Sequence, residues 1–548
     1  MYGYGYERLK QITHTKKGKA YVAQAEKYYQ ENYANKPILS LSFFQYKRFE
    51  IDGDRIGYES EYFERRNRLF LLQILALAKD KYLTELEDVV AAICDEYTWV
   101  LPAHARFTID LFAAETGYYL SETLYVFKDK LSKELQKRIY HSVETKIIKA
   151  YEEQPHFGWE DYKNNWMAVC TGSIGVCYMY LFPERFEMVK ERMFHALNEE
   201  FIQVAFHKDG FCTEGVTYWL YGFGFFCSFF HVYERIFNER PAFIDGEYID
   251  KILGYYANAR MQEGVYLPFA DGGRRVLQLN IHELMQVKLL YGNSFTIPKM
   301  DIPFYGNKAL GFSFLLGLND LENKPTVEKE TSIYYQEAQV FIRRRKNYAF
   351  TAKGGNNNEL HNHNDVGSFQ IVKNQKRYIC DVGVCLYTKE VFDGGRYSVF
   401  NCNSLSHSVP IVDGKLQSAG AKYYGKVVGV DENAFTLDIA NAYEGEGKEV
   451  LVAYETLENC VRANYACKGI EKEIVFHFAS DIKPIIKDGV VYIKDMKIVC
   501  DKNVTPTISE KKYRTFGVRR LPENQKAYLI DYAVQGQNEI TARFTFEW

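Results

Sequence analysis

The 548-residue sequence lacks the motifs that identify several large enzyme classes. It contains no phosphate-binding loop, no calcium-binding loop, no GxSxG nucleophile elbow and no HExxH metalloprotease motif. The stretches YGYGYE and YGFGFF contain glycines, but no strand pattern precedes them and the rest of a dinucleotide-binding fingerprint is missing. These absences argue against the nucleotide-binding, α/β-hydrolase and zinc-protease classes.

The sequence also lacks a strong charge of one sign, paired cysteines and long apolar runs. The net charge of -3 gives no overall basic field, so we expect neither nucleic acid nor a membrane as a partner. The 11 cysteines form no CxxC pair, which favours reduced thiols. The N-terminal segment lacks the apolar core of a signal peptide, and the uncharged stretch 218–233 is shorter than a membrane span of about 20 residues. We expect a soluble, cytoplasmic protein.

What the sequence has in quantity is aromatic side chains, which make up 16% of its residues. Most are expected in cores, although such rings also stack on the flat faces of sugars. The length favours two or three domains with large cores.

The pattern of apolar residues divides the chain near residue 320. From about residue 16 to 320 these residues recur at helical spacing, as in segments 61–80 and 81–97, which predicts antiparallel helix pairs in a curved or closed array. After the polar linker NDLENKPTVEKETS come short runs rich in Val, Ile, Tyr and Phe, separated by turn-forming residues. We therefore predict a helical domain over 1–320, an antiparallel β-sandwich over 321–548, and a ligand cleft between them.

The segment NNNELHNHNDVGSF, residues 356–369, concentrates polar groups before a strand-like run. If it is extended, His361 and His363 point to the same side because they are two residues apart. Asp381 ends another strand-like run, and His407 lies in NSLSHSVP. Two imidazoles and a carboxylate are the usual protein ligands of zinc. A zinc site and a set of satisfied surface histidines are both compatible with these spacings.

Two asparagines, Asn164 and Asn165, precede Trp166 at the start of a predicted helix in NNWMAVCTGSIG. Asparagine at this place is normally a helix N-cap. At least one of the two is expected to have that role.

Polar and aromatic residues also lie together in two other helical stretches. DGFCTEGVTYWLYGFG contains Glu214, Tyr218 and Trp219, for which core packing is the ordinary explanation. Trp99 and His104, in YTWVLPAH, suit either a sugar subsite or helix capping. Four of the five tryptophans lie in the helical half, and this clustering favours a carbohydrate cleft.

Together, this layout and these stretches resemble the heparinase II/III-like polysaccharide lyases over roughly residues 90–420. The matching segments are NNWMAVCTGSIG, EGVTYWLYG, KGGNNNELHNHNDVGSF, CDVG and RYSVFNCNSLSHSVP. The resemblance implies an (α/α) toroid, that is, an incomplete helical barrel, followed by an antiparallel β-sandwich, and a bacterial origin. It also implies an acidic, uronate-containing oligo- or polysaccharide as the partner, and β-elimination as the reaction.

The resemblance assigns neutralisation of the uronate carboxylate to Asn164, with Asn165 as the close alternative, and to His361. Amide and imidazole donors that are fixed before the reaction can stabilise the developing dianion. Tyr218 matches the catalytic tyrosine and is implied to act as acid and, for some substrate geometries, as base. A tyrosine with an ordinary pKa of about 10 needs help from a neighbouring cation, for which His361 is the nearest candidate.

His363, Asp381 and His407 match zinc ligands of the family, so the resemblance implies a structural zinc ion. Such an ion would clamp the loop that carries His361 and fix the orientation of that ring.

Several further residues are expected to contact substrate. Arg274 and Arg275 suit either an anionic group or ordinary surface pairing. Glu214 and Glu359 are expected to orient loops as hydrogen-bond acceptors. The expected substrate-binding residues are Trp99, His104, Trp166, Trp219, Arg396 and Tyr397.

Two other functions fit parts of the pattern. A glycoside hydrolase on the same helical toroid would use a carboxylate pair, for which Glu214, Asp271 and Asp365 are the candidates. A non-catalytic carbohydrate-binding protein would keep the aromatic residues without needing the Tyr218 hydroxyl. Within the lyase interpretation, the missing export signal favours oligosaccharides or exo action, and the sequence does not indicate which uronate glycan is cleaved or the oligomeric state. The run RRRK at 343–346 is expected to form a solvated face.

Overall fold

The computed structural model describes residues 5–272, 281–298, 311–321, 329–392, 394–517 and 522–548. It confirms the predicted fold class, with a helical array in the N-terminal part and antiparallel sheets after it. Among the described residues, no helix combines the length and apolar character that a membrane crossing requires.

Helices dominate the first part of the chain. Three of them continue through π-helical turns, at Glu144–Ile148, Ala196–Ile202 and Trp219–Phe223. The described α-helices are α1 Tyr6–Thr13, α2 Lys16–Asn32, α3 Phe43–Asp52, α4 Ile56–Ala78, α5 Leu83–Cys94, α6 Leu111–Phe127, α7 Lys133–Val143, α8 Lys149–Glu153, α9 Asn165–Leu181, α10 Pro183–Phe186, α11 Lys190–His195, α12 Gln203–Ala205, α13 Val216–Tyr218, α14 Gly224–Phe237, α15 Glu247–Asn258, α16 Ile281–Tyr291, α17 Gly311–Gly317 and α18 Lys389–Phe392.

The helical array returns to its starting point. Helix α9 packs between α6 and α14, and α14 packs against α16. Helix α17 then contacts α16 as well as α1 and α4, so the end of the array meets its beginning. Glycine allows the close approach of α9 and α14, because a Cβ on Gly175 would lie 2.2 Å from the Phe229 ring. The result is a toroid with one continuous apolar core.

Besides short 3-10 helices, the remaining described elements are strands, and every pairing between described strands is antiparallel. They are β1 Arg260–Gln262, β2 Val265–Tyr266, β3 Thr331–Tyr335, β4 Val340–Arg344, β5 Ala349–Lys353, β6 Asn356–Asn357, β7 Phe369–Lys373, β8 Lys376–Ile379, β9 Ile411–Val412, β10 Gly420–Tyr424, β11 Lys426–Val430, β12 Ala434–Asp438, β13 Glu449–Thr456, β14 Cys460–Lys468, β15 Glu473–Ser480, β16 Ile485–Lys487, β17 Val490–Ile493, β18 Met496–Cys500, β19 Thr507–Phe516, β20 Pro522–Gln535 and β21 Glu539–Glu547.

Three large sheets form the β part. A five-stranded sheet has the order β3-β4-β5-β7-β8, an eight-stranded sheet has the order β11-β12-β13-β14-β21-β18-β17-β16, and a four-stranded sheet has the order β19-β20-β15-β9. The strands of the eight-stranded sheet alternate buried and partly exposed residues, as β13 and β14 show, because one face covers the core.

The five-stranded sheet joins the two parts because both of its faces are covered. On β4, Val340 and Ile342 belong to the helical core, whereas Phe341 between them belongs to the core of the β part. On β5, Ala349 belongs to the helical core and the next residue, Phe350, belongs to the core of the β part. A strand buried on both faces has a continuous apolar run rather than an alternating one, as the VFI of β4 does.

The run RRRK at 343–346 does not form the solvated face that we predicted, because its first two arginines are buried. Arg344 is 8% exposed. Its Nη1 donates to the carbonyl oxygens of Ala257 at 3.0 Å, Asn258 at 3.3 Å and Arg260 at 2.6 Å. Arg344 therefore caps the end of α15 and holds the sheet against the toroid.

We predict that Arg344→Ala destabilises the protein by about 3 kcal/mol, because three carbonyl groups at the end of α15 lose the charged donor that the buried guanidinium supplies. Chemical denaturation followed by circular dichroism measures the change. Arg462→Ala is the matched control, since Arg462 is 40% exposed and its ion pair with Glu455 spans 3.7 Å. Equal effects of the two substitutions would contradict the capping role of Arg344.

Candidate active site

A buried aspartate of the helical part, Asp271, accepts hydrogen bonds from four side chains of the β part. It lies in the segment after β2 and is 3% exposed. Its Oδ2 lies 2.8 Å from His361 Nδ1 and accepts from the Tyr387 hydroxyl at 2.8 Å. Its Oδ1 lies 3.1 Å from His363 Nε2 and accepts from Arg396 Nη2 at 2.9 Å. We call these five residues the Asp271 network.

The ionised form of Asp271 is favoured although the carboxyl group is buried. Burial alone raises the pKa of a carboxyl group. Here the hydrogen bonds from His361 and His363 and the charge of Arg396 outweigh burial and hold the pKa of Asp271 well below its ordinary value. Because an ionised carboxylate only accepts, both imidazoles donate to it, which orients both rings.

A second buried carboxylate, Glu214, connects the asparagine pair to the histidine-rich loop. Its Oε2 accepts from the backbone N–H of Asn165 at 2.8 Å, and its Oε1 accepts from Asn165 Nδ2 at 2.7 Å. The same Oε1 lies 3.2 Å from His361 Nε2. Glu214 thus orients loops, as its sequence context predicted. The next residue, Gly215, has a φ of +87°, which a side chain would disfavour.

The two asparagines are not equivalent as donors. Asn164 is the N-cap of α9, since its Oδ1 accepts from the backbone N–H of Trp166 at 3.0 Å. This bond leaves its Nδ2 without a hydrogen bond to a described residue. The Nδ2 of Asn165 is bound to Glu214. Asn164 is therefore the asparagine with both side-chain N–H donors left for a ligand, whereas Asn165 has given one of its two to Glu214.

The imidazole of His361 stacks on the ring of Tyr218, with 4.0 Å between centroids and an interplanar angle of 14°. Burial lowers the pKa of His361, but its hydrogen bonds with Asp271 and Glu214 outweigh burial and raise the pKa to about 9. His361 is therefore cationic at neutral pH. A cation on the face of a phenol ring favours the phenolate.

Local backbone geometry sets the positions of both rings. His361 has a φ of +55°, an uncommon conformation for a residue with a side chain. Tyr218 ends the short helix α13 and is followed directly by a π-helical turn, Trp219–Phe223. Such turns are rare and frequent at functional sites. The Tyr218 hydroxyl lies 3.0 Å from the Tyr387 hydroxyl, which links it to the Asp271 network.

Two of the predicted substrate-binding residues are core residues instead. Trp99 is 1% exposed and its indole N–H donates to the carbonyl of Ile93 at 2.9 Å. Trp219 is 0% exposed and donates to the carbonyl of Ile252 at 2.9 Å. Neither ring has a face open to a sugar, so these two predictions are wrong.

The remaining predicted substrate residues are half-buried. Trp166 lies edge-on to the His104 ring at 4.9 Å, and His104 Nδ1 lies 2.8 Å from an oxygen of Asp110, the N-cap of α6. Arg396 donates to Asp271 and to two loop carbonyls, so the structure shows it holding the histidine-rich loop. Tyr397 accepts from the Asn362 amide at 3.2 Å. Arg274 and Arg275 lie outside the described residues.

His363, Asp381 and His407 form a buried group whose ligand atoms all lie within 4.8 Å of one another. His407 Nδ1 and Asp381 Oδ2 lie 3.2 Å apart as an ion pair, while His363 Nδ1 and His407 Nε2 have no hydrogen-bond partner among the described residues. Unpartnered polar atoms in a buried site are costly. A metal ion would satisfy them, and the donor set suits zinc. The bond from His363 Nε2 to Asp271 is the outer contact that metal-binding histidines usually make.

A second group, Asp271, His363 and Cys402, also brings three possible ligand atoms together. It is less suitable, because Asp271 Oδ1 already accepts from the guanidinium of Arg396 at 2.9 Å. A metal ion at that oxygen would face a like charge. The residues that fit a metal best are therefore those that the resemblance had assigned.

Solved structures with this architecture cover nearly the whole chain. A crystal structure of heparinase III has a TM-score of 0.61 and 14% identity, over 100% of this chain and 91% of that one. The heparan sulfate lyase HepC of Pedobacter heparinus has a TM-score of 0.55 and 12% identity, over 97% and 88% of the two chains. The Streptomyces coelicolor A3 chondroitin AC lyase in complex with chondroitin sulphate has a TM-score of 0.59 and 9% identity, over 99% and 82%.

The fold is that of the heparinase-like polysaccharide lyases. The resemblance seen in the sequence is confirmed at this level, and identities of 14% or less establish the fold rather than the activity. No protein-family model and no curated protein matches the chain.

Sequence reasoning missed the central position of Asp271 and the whole contribution of Tyr387. Asp271 was considered only as a possible hydrolase carboxylate, because Asp-Gly-Gly in FADGG indicates a turn and does not reveal burial. Tyr387, in CLYTK, has no local signal. Its partner Asp271 is 116 residues away in the chain.

We predict that Asp271→Asn lowers the free energy of unfolding by about 3 kcal/mol, because buried cationic donors lose their counter-charge. Chemical denaturation measures the loss. Asp531→Asn is the control, since Asp531 is 30% exposed and pairs with the single histidine His477. A loss no larger than that of the control would contradict the central role of the Asp271 network.

Proposed function

We propose that the protein is a polysaccharide lyase that cleaves uronate-containing oligo- or polysaccharides by β-elimination. The observation that supports this proposal is that Glu214 links Asn165, the residue next to Asn164, to His361, and that His361 stacks on Tyr218. Asn164 offers an amide donor, His361 offers a cationic imidazole, and Tyr218 offers a phenol stacked on that imidazole. Asp271 and Glu214 hold them together across the two parts of the chain.

These groups suit the main obstacle of β-elimination, which is the negative charge that develops on the uronate. The C5 proton of a uronate is weakly acidic, because its removal places a second negative charge on the adjacent carboxylate. The Nδ2 of Asn164 and the positive charge of His361 stabilise that charge as an oxyanion hole would. Because both groups are fixed before substrate arrives, little reorganisation is needed in the transition state.

We assign the two proton transfers of the reaction to Tyr218. We assign it the protonation of the departing glycosidic oxygen and, where the C5 proton lies on the same side, its abstraction. The stacked His361 favours the phenolate that abstraction requires. The hydroxyl of Tyr387 donates its one proton to Asp271, so it accepts from the neutral phenol of Tyr218, 3.0 Å away, and orients that hydroxyl.

We further propose that His363, Asp381 and His407 would hold a zinc ion. When bound, it would act as a structural clamp, because all three ligands are buried. With its position fixed by the ion, the His363 ring would hold Asp271 in place, and Asp271 would in turn hold the His361 ring.

The hydrolase alternative is less well supported by the charges of the candidate carboxylates. A glycosidase needs a carboxylic acid with a raised pKa, whereas the pKa of Asp271 is held well below its ordinary value. Asp365 is fully buried against Lys353, 3.0 Å away. Glu214 is bound to Asn165 and His361. A non-catalytic carbohydrate-binding protein would not need the cation that stacks on Tyr218.

Incubation with a panel of uronate oligosaccharides tests the proposal. Elimination creates a conjugated double bond that absorbs in the ultraviolet, and hydrolysis does not. Heparan-type, chondroitin-type, hyaluronan-type and alginate-type oligosaccharides belong in the panel, because the fold does not select among them. Release of a single terminal unit would support exo action, and mixed lengths would show endo action.

We predict that Tyr218→Phe lowers kcat on the best substrate by about a thousandfold and leaves KM within a few-fold, because it removes the proton-transferring group alone. Tyr233→Phe, on the following helix α14, is the control and should retain full activity, since its hydroxyl contacts Glu239 and Lys190 rather than any residue of the Asp271 network. Unchanged turnover by Tyr218→Phe would overturn the assignment.

Elemental analysis should find zinc near one equivalent per chain. We predict that His407→Ala loses the metal and lowers activity by roughly 10- to 100-fold through disorder of the His361 loop. His231→Ala, in α14, is the control. A metal-free protein with full activity and unchanged thermal stability would contradict the clamp.

A further inference from the structure

The histidine-rich loop, residues 354–366, begins and ends at one lysine, Lys353, which is the last residue of β5. The backbone N–H of Lys353 donates to the carbonyl of Ser368 at 3.0 Å, and its own carbonyl accepts from the N–H of Gly367 at 2.9 Å. The chain therefore leaves the sheet after Lys353, passes through both histidines and returns to the same residue.

The side chain of Lys353 contacts a carboxylate on each side of the two histidines. Its Nζ donates to Glu359 Oε2 at 3.1 Å and forms an ion pair with Asp365 Oδ1 at 3.0 Å. Glu359 lies two residues before His361, and Asp365 lies two residues after His363. One ammonium group thus holds both halves of the loop.

These contacts are shielded from water, so they restrain the loop more than a surface ion pair would. Lys353 is 3% exposed and Asp365 is 0% exposed. Burial lowers the pKa of a lysine, but here the two carboxylates outweigh burial and raise the pKa of Lys353, which is therefore charged. Movement of the loop away from Lys353 would leave buried charges without partners, which is costly.

The loop itself holds Glu359 in this position. The backbone N–H of Glu359 donates to Asn362 Oδ1 at 3.4 Å, and a Cβ on Gly355 would lie 2.3 Å from Glu359 Oε1. Gly355 also has a φ of +69°, so a side chain there is disfavoured on two grounds. Glu359 therefore packs closely over the start of the loop.

His361, in the middle of the loop, needs such a restraint because its φ of +55° is uncommon for a residue with a side chain. Side-chain contacts hold its ring, but the position of the ring also depends on where the backbone of the loop lies. We propose that Lys353 is a positioning residue of the site, which holds His361 in place through Glu359 and Asp365. Only its effect on turnover rests on the proposed lyase function.

Hydrogen exchange followed by mass spectrometry tests the proposal without any turnover. Loop amides are hydrogen-bonded and so report opening, as that of Asn364 donates to the Cys402 carbonyl at 3.0 Å and that of Val366 donates to Gln417 Oε1 at 2.9 Å. In Lys353→Met, which keeps a long side chain and removes the charge, loop amides should exchange about tenfold faster, while those of the toroid core keep their protection.

The same variant should lose turnover on the best uronate oligosaccharide. We expect kcat to fall by roughly 10- to 100-fold, because His361 is no longer held in place, and KM to change by less than about threefold. Lys448→Met is the matched control, since the Lys448 ion pair with Asp413 spans 2.8 Å and the two side chains are 10% and 6% exposed. Lys448 lies outside the loop, so this control should change neither loop protection nor kcat.

Glu359→Gln is a milder second variant, which keeps the test valid if Lys353→Met does not fold. It leaves the ion pair of Lys353 with Asp365 intact and removes the charge of a side chain that is 30% exposed. We expect faster exchange confined to residues 356–361, and a kcat about fivefold lower.

Three outcomes would overturn the proposal. They are unchanged loop protection in every variant that folds, an equal loss of protection in Lys353→Met and Lys448→Met, and an opened loop with unchanged kcat. If no uronate oligosaccharide undergoes elimination, the lyase proposal fails instead, and the exchange measurement alone decides whether Lys353 holds the loop.

Discussion

The buried carboxylate of Asp271 is the constraint on which the proposed site depends. A charge that is removed from water must be met by donors with good geometry, or the protein loses several kcal/mol. Here four side chains from the β part supply those donors to a residue of the helical part. The interface between the two parts is therefore held in one arrangement at the point where the proposed catalytic groups meet. This arrangement is what a preorganised electrostatic site requires.

The two parts of the chain contribute different chemistry. The toroid supplies the helix start with Asn164 and the short helix that carries Tyr218, while the β part supplies His361 and Tyr387. His363 belongs to both the Asp271 network and the candidate metal group. A metal ion that fixed His363 would thus also help to fix His361, the imidazole of the proposed site, because Asp271 contacts both rings. A site of this kind is incomplete in either part alone.

Much of the fold could be predicted because its signals are local. Apolar spacing distinguished helices from strands, and the composition changed near residue 320. The histidine-rich loop could be recognised because its residues are close in sequence. Burial was harder to predict, because apolar spacing does not show which aromatic rings face the toroid core, and Trp99 and Trp219 were misassigned for that reason. Arg343 and Arg344 were misassigned because both faces of their strand are covered.

The remaining features of the candidate site depend on contacts between residues that are far apart in the chain, which a local sequence pattern does not show. The choice between Asn164 and Asn165 depends on Glu214, which lies 49 residues from Asn165 in the chain and binds its amide. The structure identified Tyr387 through a contact that no sequence pattern marks.

Product analysis in water enriched in heavy oxygen tests the account most directly. The account predicts that cleavage of a uronate oligosaccharide leaves one unsaturated end and that neither product contains oxygen from the solvent at the broken linkage. Mass spectrometry distinguishes this result from hydrolysis. A saturated product that carries solvent oxygen at its new end would contradict it.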